Sequence, residues 1–122
     1  MNVWEQIDQF ANDHKYTYGA KRGLFYLGVL LKFSSVKAPD RLKDGFGMTI
    51  IGRCQDYMDI YTETLCQAKK YTVKSVFDHC VAEITLNTIE LQKKEVAMTW
   101  DEIKFHIMAG YAATVKIMEL NN

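Results

Sequence analysis

Among the side chains that could do chemistry, Asp78-His79-Cys80 comes first, because the run combines a carboxylate, an imidazole and a thiol. On a helix three successive residues point about 100° apart, so these three cannot converge on one ion or act as one nucleophilic site. His14 and His106 have no partner at His-x-x-x-His or Glu-x-x-His spacing. Asp56, Asp59 and Glu63 share a helix face at spacings of three and four, which reads first as a solvated acidic face. Gly47 to Cys54 has the glycine spacing of a phosphate-binding loop. It lacks the lysine that reaches the phosphates and the hydroxyl residue that holds magnesium. No serine has a neighbour that would activate it. The expectation is a protein without catalysis, metal or cofactor.

Charge carries more information when it is cut by segment. The 122 residues hold 15 basic and 15 acidic side chains, so formal net charge is zero. Residues 1–14 are acidic, residues 15–74 strongly basic, and residues 75–122 acidic. Within the basic block, Lys21, Arg22, Lys32, Lys37, Arg41 and Lys43 face a single acid, Asp40. Lys69, Lys70 and Lys74 form a second cluster. Such a surface attracts phosphates and releases counterions when it binds them. These nine residues are the candidate nucleic-acid contacts.

The elements that must position them are helical. Hydrophobic residues make up 48% and there is one proline, which fits one folded domain over 1–122 and argues against a loop-rich β chain. Val3, Trp4, Ile7, Phe10 and Ala11 recur at helical spacing over about Asn2 to His14. A second helix over about Tyr18 to Ser35 is apolar nearly all round, the pattern of a helix buried by several neighbours. Gly19 and Gly23 lie four apart on it, where another backbone could approach. Pro39, Gly45 and Gly47 mark a loop between Ser34 and Gly47. A third helix is expected over about Met48 to Lys70, and a fourth over about Thr72 to Lys93 with Val73, Val76, Phe77, Cys80, Val81 and Ile84 inward. β-branched residues at 72–73 and 85–88 leave room for a short strand. Thr99-Trp100-Asp101-Glu102 fits a capping box that opens a fifth helix. Two apolar sides on that helix, one with Ile103 and Ile107 and one with Phe105 and Ala112, predict that it is sandwiched. Gly23 and Gly110 are expected at helix–helix contacts. The fold expected is a compact antiparallel all-α bundle of about five helices.

The longest apolar stretch, Leu24 to Leu31, is too short to span a bilayer, which needs about 20 residues. The N-terminus lacks a basic start followed by an apolar run, so no signal peptide is expected. Cys54, Cys66 and Cys80 form no C-x-x-C pair and read as reduced, buried thiols of a cytoplasmic protein.

One pattern resembles a known family. Gly23-Leu-Phe-Tyr-Leu-Gly-Val-Leu-Leu31 lies upstream of Phe105-His-Ile-Met-Ala-Gly-Tyr111, with two helices and a Glu-Val-Ala-Met-Thr-Trp turn between them. The layout resembles the C-terminal region of large subunits of type I CRISPR effector complexes, notably the I-B group, over roughly residues 18–115. There a "LxGxL"-like helix opens the region and an "F-x-x-x-A/S-G-Y" helix closes it. The same region is also made separately as a helical small subunit. The resemblance implies a non-catalytic subunit packed beside other subunits of the ribonucleoprotein and further copies of itself. It would brace the guide RNA–target DNA duplex and the displaced strand through their backbones. The zero net charge departs from what a free strand-binding subunit would carry, and favours binding within an assembly. The alternative is a helical protein–protein interaction module, such as a phage-encoded inhibitor or an immunity protein, with no nucleic acid.

Overall fold

A computed structural model describes residues 1–34, 64–87 and 98–121. All regular structure among these residues is α-helical, and no strand occurs among them. The complete helices are α1 (Val3–Asp13), α2 (Gly19–Ser34), α3 (Lys74–Asn87) and α4 (Trp100–Leu120). Residues 64–71 are helical as well. The all-α expectation holds, and Thr85 lies within α3 rather than in a strand. The loop expected between Ser34 and Gly47, the phosphate-loop-like glycines, the acidic face at Asp56, Asp59 and Glu63, and Cys54 all lie outside the described residues.

Local chemistry sets the helix ends. Asn2 caps α1, its side chain accepting the Glu5 amide at 2.8 Å. Thr99 caps α4 in the same way, accepting the Glu102 amide at 3.2 Å, as the capping box predicts. α1 stops in a Schellman motif. The Tyr16 amide donates to the Ala11 carbonyl at 2.7 Å and the Lys15 amide to Asn12 at 3.2 Å. This leaves Lys15 at φ 65°, a left-handed conformation usually filled by glycine. Gly19, at φ 81°, occupies the second left-handed position and leads the chain into α2.

α2 is the core. Every residue from Gly23 through Leu31 is buried, as expected of a helix apolar on all sides. Its neighbours follow from side-chain pairings. Trp4 packs against Phe33, Asp8 meets Tyr26, and Asn12 meets Arg22, so α1 and α2 run antiparallel. Gly19 meets Asn87 while Phe33 and Val76 line one cleft, so α3 is also antiparallel to α2. Gln6 bonds Asn121 and Tyr16 bonds His106, so α4 is antiparallel to α1 and runs in the same sense as α2.

The α2–α4 contact is backbone to backbone. A Cβ on Gly110 would collide with the Phe25 carbonyl, reaching 2.7 Å from its carbon. A Cβ on Gly28 would collide with the Ile107 carbonyl oxygen and come within 2.7 Å of the Tyr111 nitrogen. Gly110 is therefore at a helix contact as expected, and its partner glycine is Gly28. Gly23 is buried on the same helix.

Three expectations need correction. The second apolar side of α4 is only partly covered. Ile103, Ile107, Ala113 and Ile117 are buried and Met108 and Val115 half-buried, but Phe105 is 66% exposed and Ala112 is open, because α1 borders that face across a cleft rather than packing onto it. Val73 precedes α3 and is exposed rather than inward. Cys66 is exposed while Cys80 is buried, where burial pushes its thiol far up from the ordinary range.

Candidate functional site

The densest polar arrangement among the described residues lies where α1, α2 and α3 meet. Arg22, from the first turns of α2, is turned inward and its side chain is only 11% exposed. Its Nε donates to Glu83 Oε2 at 3.1 Å, and one terminal nitrogen donates to the Tyr16 carbonyl at 2.7 Å and to Asn12 Oδ1 at 3.2 Å. The other lies 4.0 Å from Asp8 Oδ1. The guanidinium carbon sits 5.0 Å from the Tyr26 ring centroid. One planar, five-donor group thereby joins three helices, a geometry that lysine could not supply.

Asp8 is the acidic hub. It accepts the Tyr26 hydroxyl and faces His79 Nε2 at 3.8 Å. Burial raises its carboxyl above the ordinary 3.8, the His79 imidazole opposes that, and Glu83 adds to it. Glu83 is fixed by Arg22 and by the Asn87 side-chain amide at 3.3 Å. His79 stacks on Trp4 with ring centroids 4.5 Å apart. Its Nε2 is buried and has no hydrogen-bond partner.

Sequence reasoning set His79 beside its chain neighbours and missed its real company. Asp78 is exposed and pairs with Lys74, and Cys80 points into the core. The signal that could have found the cluster is the i, i+4 spacing of His79 and Glu83, which puts both on one face of α3. Asp8 arrives from another helix and had no sequence signature.

The nine basic candidates separate. Arg22 belongs to the inward cluster and presents no free guanidinium to a ligand. Lys37, Arg41 and Lys43 lie outside the described residues. Lys21 and Lys32 are 11 residues apart on α2, about 16 Å along its axis. Lys21 is exposed near the start of α2, beside a cleft of about 530 Å³ that it lines with Lys15, Thr17, Tyr18 and Gly19. Lys32 is half-buried in the last turn, where it suits the negative end of the helix dipole. Lys69 and Lys70 are exposed at the end of the helical run 64–71. Lys74 opens α3, exposed and held to Asp78 at 2.7 Å. Because α3 starts where α2 ends, Lys74 lies toward the Lys32 end of the bundle and Lys21 toward the other.

The chain matches no family model, no curated protein and no solved structure. Its function must be argued from its own surfaces. Besides the lysines, those include an apolar groove of about 470 Å³ between α1 and α4, lined by Phe10, Tyr16, Phe105 and Ala109.

Proposed function

We propose that this chain is a non-catalytic small subunit of a type I CRISPR RNA-guided complex, working in the cytoplasm beside other subunits and further copies of itself. It braces the guide RNA–target DNA duplex and the displaced strand through phosphate contacts and reads no bases. One observation carries this reading. The two segments that resemble the family's opening and closing helices, 23–31 and 105–111, meet through Gly28 and Gly110 in one close backbone contact. The resemblance thus falls on a single packing unit rather than on two unrelated apolar stretches.

The phosphate-facing residues in this reading are Lys21, Lys32, Lys69, Lys70 and Lys74, with Lys37, Arg41 and Lys43. Arg22 is excluded because its charge is already engaged by Glu83 and Asp8. Charge reversal at Lys21, Lys69 and Lys70 tests the reading within the assembled complex. The three are exposed, so the fold should tolerate the change. Target-DNA retention should fall and its salt dependence flatten, by about 0.7 in log–log slope for each single-strand phosphate no longer neutralised. Equal retention at every salt concentration would remove this surface from the binding site.

A helical protein-interaction module is the second reading. The exposed Phe105 beside the α1–α4 groove favours it, since large apolar side chains in a groove are common at protein contacts. The two readings divide on whether nucleic acid accompanies the chain.

A further inference from the structure

We propose that Asp8, His79 and Glu83 form a binding site for a divalent transition-metal ion of the zinc type, joining α1 to α3. One ligand atom from each of the three lies within 4.8 Å of the others. All three residues are half-buried, which shields a bound ion from bulk water while leaving it a way in.

The open positions of the ligands match what an ion needs. Asp8 Oδ1 accepts from Tyr26, and Glu83 Oε2 accepts from Arg22 and Asn87. Asp8 Oδ1 is also the oxygen that faces His79 Nε2, and an ionised carboxylate offers about four lone-pair sites, so each of the two keeps acceptor capacity for an ion. His79 Nε2 is buried and, with Asp8 3.8 Å away, has no hydrogen-bond partner. A buried nitrogen without a partner is costly, and a metal ion uses the same lone pair. One imidazole and two carboxylates form a donor set that suits zinc and its neighbours in the first transition row.

The surroundings hold these ligands in place. Arg22, Tyr26 and Asn87 fix the two carboxylates, and the Trp4 ring fixes the plane of His79. Charge also permits an ion. With His79 neutral, two carboxylates and one guanidinium leave the cluster at about −1, and a divalent ion brings it to about +1. Arg22 binds Glu83 through Oε2, so Oε1 can serve the ion while Arg22 stays where it is.

The test uses the full chain, stripped of metal with a chelator, then titrated with Zn²⁺ alone and, separately, with Mg²⁺. One equivalent of Zn²⁺ should raise the melting temperature and shift the His79 Nε2 resonance in a ¹⁵N spectrum of the ring nitrogens. Mg²⁺ should do neither at the same concentration. His79→Phe keeps an aromatic ring on Trp4 but removes the nitrogen, and should weaken Zn²⁺ binding by at least about tenfold. Glu83→Gln is the second variant, should His79→Phe fold poorly. It keeps an oxygen for Arg22, and should also bind Zn²⁺ more weakly. Zn²⁺ binding that is equally tight in both variants would place the ion elsewhere and overturn the site. So would an unmoved His79 Nε2 in the wild-type chain, which would leave His79 and Asp8 as a simple imidazole–carboxylate pair.

Discussion

Replacing Gly28 with alanine adds one methyl group, yet it should cost the protein much of its stability. The new Cβ would meet the Ile107 carbonyl oxygen, the Ile107 carbon at 2.9 Å and the Tyr111 nitrogen at 2.7 Å. All three are backbone atoms of α4, so no side chain can rotate away. Restoring ordinary contact requires α2 and α4 to separate by about 1.5 Å, more than the gap of about 1 Å that already forfeits up to half of the dispersion attraction between facing atoms. The atoms drawn apart include the buried side chains of Leu24, Phe25 and Ile107. Overpacking of this kind costs about 3 kcal/mol, at the upper end of its range. Alanine's better helix propensity offsets about 1 kcal/mol of that. The net destabilisation is about 2 kcal/mol, or about 8 °C in melting temperature for a chain of this size. Gly110→Ala should behave alike, since its Cβ meets the Phe25 backbone. The double variant should be destabilised by less than the sum, because one separation of the helices accommodates both methyl groups. Thermal unfolding followed by circular dichroism reads all three. A melting temperature that rises in either single variant would refute the close packing.

Arg22→Leu leaves Asp8 and Glu83 without their guanidinium and should destabilise the chain by about 2 kcal/mol, reduced from the fully buried case because both carboxylates are partly exposed. Lys69→Glu, by comparison, should stay within about 0.5 kcal/mol of wild type in the same denaturant titration, and similar effects for the two would contradict the inward placement of Arg22. Lys15→Gly relieves the left-handed backbone at the end of α1 and should stabilise the protein by about 1 kcal/mol; a destabilised variant would contradict that conformation. Burial, and then Lys21, lower the His106 imidazole below its ordinary 6.5, with Glu102 opposing. The unfolded chain then takes up the proton more readily, so this group's contribution is present above pH 6.5 and is lost as pH falls from there through the lower folded value. His106→Gln should flatten that part of the stability profile, and an unchanged slope would assign it to another group. Asp8 acts in the opposite sense at lower pH, because its raised folded value makes the folded chain the better proton acceptor just above 3.8.

The parts of this fold legible in the sequence are those fixed by local chemistry. Thr99 and Glu102 announce the start of α4, and the run from Gly23 to Leu31 announces a helix buried on every side. Contacts between distant segments leave weaker marks. Gly28 looks like an interruption in an apolar run, and only the position of α4 makes it a contact glycine. Phe105 and Ala112 carry helical periodicity, but periodicity reports an apolar face, not whether a neighbour covers it. Arg22 sits among lysines in a basic block, and composition cannot tell a solvated cation from one drawn inward by Asp8 and Glu83. His79 and Glu83 were readable as an i, i+4 pair, whereas Asp8 enters only once α1 packs against α2 and α3.

Isolation of the tagged chain from cells that express it natively, at low salt, tests the proposed function most directly. The proposed role requires that guide RNA and a large effector subunit accompany the chain, and that nuclease treatment or high salt weaken the association. Recovery with a protein partner alone, with no RNA at any salt concentration, would contradict it and establish the chain as a protein-interaction module.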